Sequence, residues 1–327
     1  MRTNILIETL TTLVKARRPV YITSAPGAGK TSIVEQVAEF LDMNYIHLHA
    51  PSMLVEDFGV PDMGSQEDSF GYKLPERLLI DDSTPTLINF DDRGQCTADL
   101  QKIFANMIDA RELHGHKFGD NVAFVSTGNR MEDRAGVNRV LGHLADRETE
   151  LEFDVNLDDW CKWAIDNDIH PSVISFIRFR INLLHDFDAQ RPKNPTPRSW
   201  VKGVSAILDL VSPEAEYDCV KGAIGEGAAA EFVGFRKIER SLPNIDNLLM
   251  NPTTATVPTD PATLYAISGA IAHKATNANF SRVVTYCNRM PQEFGVLTVS
   301  YAARRDEALA STQAFTDWCL ENQDVLW

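Results

Sequence analysis

The chain has 327 residues, 44% of them hydrophobic and 24% charged, which is the composition of a globular protein large enough for two or three domains. The formal net charge is −15 at pH 7, which opposes nonspecific binding to nucleic acid or to an anionic membrane. The five cysteines lie far apart with no C-x-x-C pair, so the sequence indicates neither a zinc site nor a disulfide framework and predicts reduced thiols.

The N-terminal stretch from Ile5 to Val14 is apolar but contains Glu8, and the basic cluster Lys15-Ala16-Arg17-Arg18 follows it. This pattern is typical of a short amphipathic helix and not of a secretory or membrane-spanning segment. We therefore expect a cytoplasmic protein without membrane insertion.

Between Arg18 and about Val155, short apolar runs alternate with helical patterns. Such alternation predicts a mostly parallel five-stranded sheet flanked by helices, an α/β domain over residues 1–155. The predicted strands are Val20–Thr23, Tyr45–His49, Thr86–Phe90, Val122–Thr127 and Glu150–Val155.

A glycine-rich segment lies between the first predicted strand and a helical pattern. It reads Ser24-Ala25-Pro26-Gly27-Ala28-Gly29-Lys30-Thr31-Ser32. Strand, loop and helix in this order predict a phosphate-binding loop, in which backbone N–H groups surround a phosphate, Lys30 reaches the β- and γ-oxygens and Thr31 ligates Mg²⁺. The motif G-x-x-x-x-G-K-[ST] has Ser24 in place of its first glycine, so this position needs no conformation that only glycine adopts. We expect ATP or GTP as the ligand.

Two carboxylates, Asp91 and Asp92, follow the strand Thr86–Phe90 about sixty residues after the loop. Alone, the pair would be read as an acidic turn at the end of a strand; after a phosphate-binding loop it predicts the second motif of an ATPase. Asp91 is then the carboxylate on the Mg²⁺ side. Asp92 orients and polarises the attacking water, a role in which glutamate is more usual.

The next strand ends in Asn129, which is placed to hydrogen-bond the water or the γ-phosphate. An asparagine at this point is otherwise ordinary turn chemistry. His114 and His116 lie on a predicted hairpin without a third ligand, and structural side chains are favoured there over a metal pair.

Four segments together resemble the AAA+ ATPases of the MoxR type (MoxR/NorQ/GvpN-like), over about Asn4 to Arg240. They are Asp91 to Gln95, Thr127 to Asp133, Val137 to Arg147 and Thr196 to Trp200. The resemblance implies Mg²⁺-dependent ATP hydrolysis in a ring, usually hexameric, with ATP between neighbouring subunits. It implies sensor 1 at Asn129, an arginine finger at Arg147 with Arg139 as its rival, and sensor 2 at Arg198. Family members carry Asp-Arg-Phe where this chain has Asp146-Arg147-Glu148.

Strands are not predicted after Val155. Helical patterns at Leu157–Asp168, Pro171–Leu184, Ser199–Leu210, Glu214–Gly222 and Glu226–Arg240 predict a helical lid domain over 156–240. A linker rich in proline and threonine follows at Asn251–Pro261, within a C-terminal extension over 241–327. Its predicted helices are Ala262–Lys274, Phe280–Met290 and Glu307–Asn322.

Two loops are expected to meet a substrate, Gly59 to Pro75 and Arg111 to Phe118, because insertions at these places face the central pore in related AAA+ proteins. The resemblance further implies chaperone-like remodelling or cofactor or metal insertion, with a partner that carries a von Willebrand factor A domain. A DNA-directed AAA+ motor or loader is an alternative, and the acidic total charge counts against it. A nucleotide-gated binding module with weak hydrolysis is a third reading, for which Asp92 in the glutamate position is the motivation.

Overall fold

A computed structural model describes residues 1–64, 70–133 and 146–323 of the chain. Its strands, in chain order, are β1 Val20–Ser24, β2 Asn44–His49, β3 Val60–Asp62, β4 Gly71–Lys73, β5 Thr86–Asp91, β6 Glu112–Leu113, β7 His116–Lys117, β8 Val122–Asn129 and β9 Thr149–Glu152.

Five of these strands form one parallel sheet in the order β2-β5-β8-β1-β9. The prediction of a mostly parallel five-stranded sheet is confirmed, and the fold is an α/β P-loop fold. The last strand was predicted to continue to Val155 but ends at Glu152. Because β5, β8 and β1 are neighbours and run in the same direction, the residues that follow them meet at one edge of the sheet.

Each face of the sheet is covered by a separate apolar cluster. Leu87 and Val125 point to the face covered by α1 (Thr3–Lys15) and α2 (Lys30–Phe40), whereas Ile88 and Phe124 belong to the cluster that contains α3 (Ala98–Asp109). Side chains alternate between the faces of a strand, so consecutive apolar residues supply both clusters. This explains why β5 and β8 are buried along their whole length. The N-terminal amphipathic helix that the sequence predicts is α1.

The chain divides into two compact units, Met1–Val155 with Phe187–Ala189, and Asn156–Asp186 with Gln190–Trp327. The second unit contains helices on both sides of residue 240, and the helix Pro261–Lys274 packs on the helices Pro171–Phe179, Glu226–Arg240 and Gln292–Arg305. The predicted division into a lid and a C-terminal extension therefore stays a prediction. The α-helices of the second unit are α4 Leu157–Asp166, α5 Pro171–Phe179, α6 Glu216–Ile224, α7 Glu226–Arg240, α8 Ile245–Met250, α9 Pro261–Lys274, α10 Phe280–Cys287, α11 Gln292–Arg305, α12 Glu307–Ala310 and α13 Gln313–Glu321.

Several helix predictions in the second unit were wrong in extent. The predicted helix Ser199–Leu210 is a π-helix over Ser199–Ser205, and the predicted helix Glu307–Asn322 is two helices. The second of these begins at Gln313, and the hydroxyl of the preceding Thr312 accepts a hydrogen bond from the Phe315 N–H and caps the new helix.

Helix α11 was not predicted at all. Its sequence includes Gly295, Thr298 and Val299, which are poor helix formers, and all three are buried. Tertiary packing against α9 and α10 therefore stabilises a helix that local preference does not indicate. Within the described residues, no helix is both long and apolar enough to cross a membrane.

Candidate functional site

The glycine-rich loop connects β1 to α2, as the sequence predicts. Gly27 and Gly29 have φ angles of 77° and 107°, in the left-handed region that glycine adopts without strain. Gly29 is the residue immediately before α2, so the loop ends at a helix N-terminus, where unpaired N–H groups favour an anion. Ser24 is not among the described residues with positive φ, in agreement with the expectation that this position needs no glycine.

Lys30 is buried, and its ammonium group lies inside the loop. Its Nζ donates to Asn129 Oδ1 at 2.8 Å, and to Ser24 O, Ser24 Oγ and Ala25 O at 3.3 Å each. The serine that replaces the first motif glycine thus supplies two of the oxygens around the lysine. All four of these acceptors are neutral oxygens.

Thr31 and Asp91 lie side by side at the edge of the sheet. The Thr31 hydroxyl donates to Asp91 Oδ1 at 2.8 Å, and Thr127 Oγ1 donates to the same oxygen at 2.5 Å. Burial would raise the pKa of Asp91, but hydrogen bonds from Thr127, His47 and Thr31 outweigh it, and the pKa lies below its usual value. The carboxylate is therefore ionised at neutral pH.

Asp92 adopts a left-handed conformation, with φ 51° and ψ 36°, which is uncommon outside glycine. Its N–H donates to Thr127 Oγ1 at 3.1 Å, and its Oδ1 accepts from Asn129 Nδ2 at 3.4 Å. Asn129 therefore lies between Lys30 and Asp92. The structure brings together the loop lysine, both predicted carboxylates and the predicted sensor asparagine.

A buried ion pair lies behind these carboxylates, and sequence reasoning missed it. Arg93 Nη1 donates to Glu148 Oε1 at 2.6 Å and to Ser126 Oγ at 2.9 Å, and the guanidinium lies 4.5 Å from the centre of the Tyr21 ring. Both charged side chains are almost fully buried, at 1% and 3% exposure. Glu148 is the residue that departs from the Asp-Arg-Phe pattern, so the departure supplies the counter-charge for Arg93.

Two of the three predicted arginines, Arg147 and Arg198, lie within the described residues. Arg147 forms an ion pair with Asp109, at 2.6 Å, within the first unit. Arg198 is exposed and belongs to the second unit. Arg139, the rival finger, lies outside the described residues. The roles of Arg147 and Arg198 stay predictions.

Two histidines lie next to Asp91 and were also missed. His47 Nε2 is 2.9 Å and His49 Nδ1 is 3.7 Å from Asp91 Oδ2. Residues two apart on a strand share a face, so the His-x-His spacing on β2 was the available signal. The sequence alone did not show that β2 is paired with β5, which sets His49 opposite Asp91.

The two predicted substrate loops form short hairpins, β3–β4 and β6–β7. The rings of Tyr72 and His114 stack at a centroid distance of 3.9 Å and join the hairpins, and His116 contacts Phe118 edge-on. Four large apolar side chains of the first hairpin segment are exposed: Val60, Met63, Phe70 and Tyr72. Residues 65–69 of this segment lie outside the described residues.

No protein-family model and no curated protein matches the chain. Among solved structures, a mutant RuvB from Thermotoga maritima is similar over 82% of this chain and 80% of that chain, with 14% sequence identity and a TM-score of 0.42. NtrX from Brucella abortus is similar over 96% of this chain and 67% of that chain, with 13% identity and a TM-score of 0.38. Likenesses at this level do not assign a function, so the functional conclusion depends on the geometry of the site.

Proposed function

We propose that the protein is a ring-forming, Mg²⁺-dependent ATPase of the MoxR type that remodels a partner protein. One observation carries the proposal. Lys30, Thr31, Asp91, Asp92 and Asn129 come from three separate segments of the chain and form a single hydrogen-bonded group beside a glycine-rich helix N-terminus. Phosphate, metal and water positions are the three requirements of phosphoryl transfer to water, and this group offers side chains for each of them.

The residues fit a nucleotide with its metal. The Lys30 ammonium, held among neutral oxygens, supplies positive charge to the β- and γ-phosphate oxygens, and the loop N–H groups supply further donors. Thr31 and Asp91 would hold Mg²⁺, because a hydroxyl and an ionised carboxylate are the hard oxygen donors that this ion prefers. When bound, Mg²⁺ neutralises the charge that develops on the transferred phosphoryl group.

Asp92 is the residue proposed to orient the attacking water. Its carboxylate accepts a hydrogen bond from Asn129, so both side chains face the same space as Lys30. An aspartate has one methylene less reach than the more usual glutamate. The left-handed backbone at Asp92 fixes where this shorter side chain begins, and such conformations are common at functional sites.

The assembly and the partner follow from the resemblance. Arg147 is proposed to reach the nucleotide of a neighbouring subunit, where a guanidinium stabilises the transferring phosphoryl group. Arg198 is proposed to sense the nucleotide from the helical part of the chain. The exposed apolar side chains at Val60, Met63 and Phe70 support contact between the first hairpin and a protein client. The client proposed here is a protein with a von Willebrand factor A domain.

The test compares nucleotide binding and turnover in two variants. Lys30→Ala should abolish tight ATP binding, because it removes the main positive charge offered to the phosphates. Asp91→Asn should retain part of the binding but lose Mg²⁺-dependent hydrolysis. Lys102→Ala and Asp81→Asn are matched controls that should change neither quantity, because Lys102 pairs with Asp99 and Asp81 accepts from Ser83 at the surface, outside the hydrogen-bonded group of the site.

Titration calorimetry with ATP and a phosphate-release assay measure the two effects. Normal affinity in Lys30→Ala, or normal turnover in Asp91→Asn, would contradict the proposal. Tight ATP binding by the unaltered protein, without turnover in the presence or absence of a client, would instead favour the nucleotide-gated binding module.

A further inference from the structure

Two imidazoles and one carboxylate meet at the end of β2. His47 Nε2 lies 2.9 Å and His49 Nδ1 lies 3.7 Å from Asp91 Oδ2, and all three atoms lie within 4.8 Å of one another. Across residues 1–64, 70–133 and 146–323, this is the one group of three His, Cys, Asp or Glu side chains that is close enough to hold a metal ion. The cysteine spacing gave no zinc site, but this cluster contains no cysteine.

The fold holds this arrangement in place. His47 and His49 are two residues apart on β2 and project from the same face, and the parallel register pairs His49 with Asp91 on β5. The Asp91 carboxylate is oriented from its other side, since Thr31 and Thr127 both donate to Oδ1. Oδ2 is thereby directed at the two imidazoles, as an outer-shell hydrogen bond directs a metal ligand.

We propose that His47, His49 and Asp91 form a binding site for a divalent transition-metal ion of the zinc class. Imidazole nitrogen suits Zn²⁺ and Co²⁺, whereas Mg²⁺ prefers oxygen ligands alone. Zn–N and Zn–O distances of about 2.0–2.2 Å in tetrahedral geometry set ligand atoms about 3.4 Å apart, close to the separations of 2.9 and 3.7 Å. The histidine side chains are 42% and 48% exposed, so an ion can enter from solvent and retain a water as fourth ligand.

The site shares Asp91 with the proposed Mg²⁺–ATP centre. An ion held on Oδ2 draws charge from the carboxylate that the hydrolytic centre uses, so bound zinc should inhibit hydrolysis. This consequence rests on the proposed function, but the metal site itself does not. Zinc binding and ATP turnover are therefore measured separately.

The binding experiment titrates the full-length, nucleotide-free protein with Zn²⁺ in competition with a chromogenic chelator. We expect a tight site for one ion, and a Co²⁺ visible spectrum typical of nitrogen and oxygen ligands without a thiolate charge-transfer band. His47→Gln and His49→Gln should each weaken the site by about 100-fold or more, since loss of an outer-shell partner alone costs 10–100-fold. His116→Gln is the matched control, because His114 and His116 form a second His-x-His segment that belongs to no three-ligand group among the residues that the structure describes.

Three results would overturn the proposal. The first is that the unaltered protein does not bind Zn²⁺. The second is that Zn²⁺ affinity is unchanged in both His47→Gln and His49→Gln. The third is that His116→Gln weakens Zn²⁺ binding as much as these two variants do. Circular dichroism of each variant checks that the fold is intact. In the turnover assay, Zn²⁺ at its binding concentration should inhibit the unaltered protein and spare His49→Gln. Zinc binding without this inhibition would refute the shared-carboxylate consequence, whereas absence of any turnover would count against the proposed function and leave the metal site standing.

Discussion

The buried pair of Arg93 and Glu148 offers the sharpest test of the structure. We consider Arg93→Met, Glu148→Met and the double variant. Each single change leaves one charge buried without its counter-charge, because the side chains are only 1% and 3% exposed. The double change replaces both charges by apolar groups of similar length against Tyr21 and Ser126.

The expected magnitudes differ between the single and double variants. Breaking a buried ion pair from one side costs about 3–5 kcal/mol in the free energy of unfolding, whereas replacing the whole pair by apolar side chains is often neutral or stabilising. At about 1.4 kcal/mol for each factor of ten, a single change raises the unfolded population about 10²- to nearly 10⁴-fold. The double variant should therefore be more stable than either single variant, despite carrying both substitutions.

Hydrogen exchange measured by mass spectrometry is the suitable assay, because it resolves individual strands. All five tryptophans lie after residue 155, so their fluorescence reports on the second unit and not on the pair. Amides of β1 and β8, which flank the pair, should exchange about 10²-fold faster or more in the single variants and close to normally in the double variant. Lys102→Met breaks an exposed ion pair of the same unit and should change exchange less than about threefold.

Either of two results would refute this reasoning. Single variants that exchange within about threefold of the unaltered protein would show that the pair is not a buried, coupled unit. A double variant whose loss of stability equals the sum of the single losses would show that the two side chains act independently.

Three further predictions concern the site and its surroundings. Arg147→Ala should lower turnover about 10³-fold and preserve ATP binding. Rings that contain both Arg147→Ala and Lys30→Ala subunits should exceed the summed activity of the separate mutants. No gain despite verified co-assembly would contradict a role of Arg147 at the nucleotide of a neighbouring subunit. Gly128→Ala should destabilise the first unit by about 1–3 kcal/mol in urea unfolding followed by circular dichroism, because the new Cβ would lie 2.1 Å from the hydroxyl of the buried Tyr21. Gly71→Ala is the control and should not destabilise it, because the space around Gly71 is open. Equal effects of the two changes would refute the packing argument. An alkylating reagent at neutral pH should modify the exposed Cys219 first, as peptide mapping can show. Burial raises the pKa of three other thiols to about 11 or 12, those of Cys96, Cys161 and Cys287. Early labelling of any of these three would contradict their burial.

Local pattern was enough to predict the sheet and part of the site. Apolar runs of strand length, separated by helical periods, have few alternatives to a parallel α/β sheet, and all five strands were placed within a few residues. The loop from Ser24 to Thr31 is contiguous, so its conformation follows from residues that are neighbours in sequence. Asp91 and Asn129 were predicted as site residues because each ends a strand, and parallel strands bring their ends to one edge.

Tertiary structure decided what depends on distant residues. Glu148 gives no sign in the sequence that it neutralises Arg93, since 55 residues separate them and only the strand order places them together. The same strand order sets His49 opposite Asp91. His47 and His49, which the sequence motifs did not single out, thereby become neighbours of a proposed catalytic centre. Helix α11 forms through burial against other helices and not through its own preference. The sequence by itself therefore determined the five strands of the sheet and the glycine-rich loop between the first strand and its helix. The pairing of strands and helices determined which charges meet, because contact energies depend on spatial and not on sequence separation.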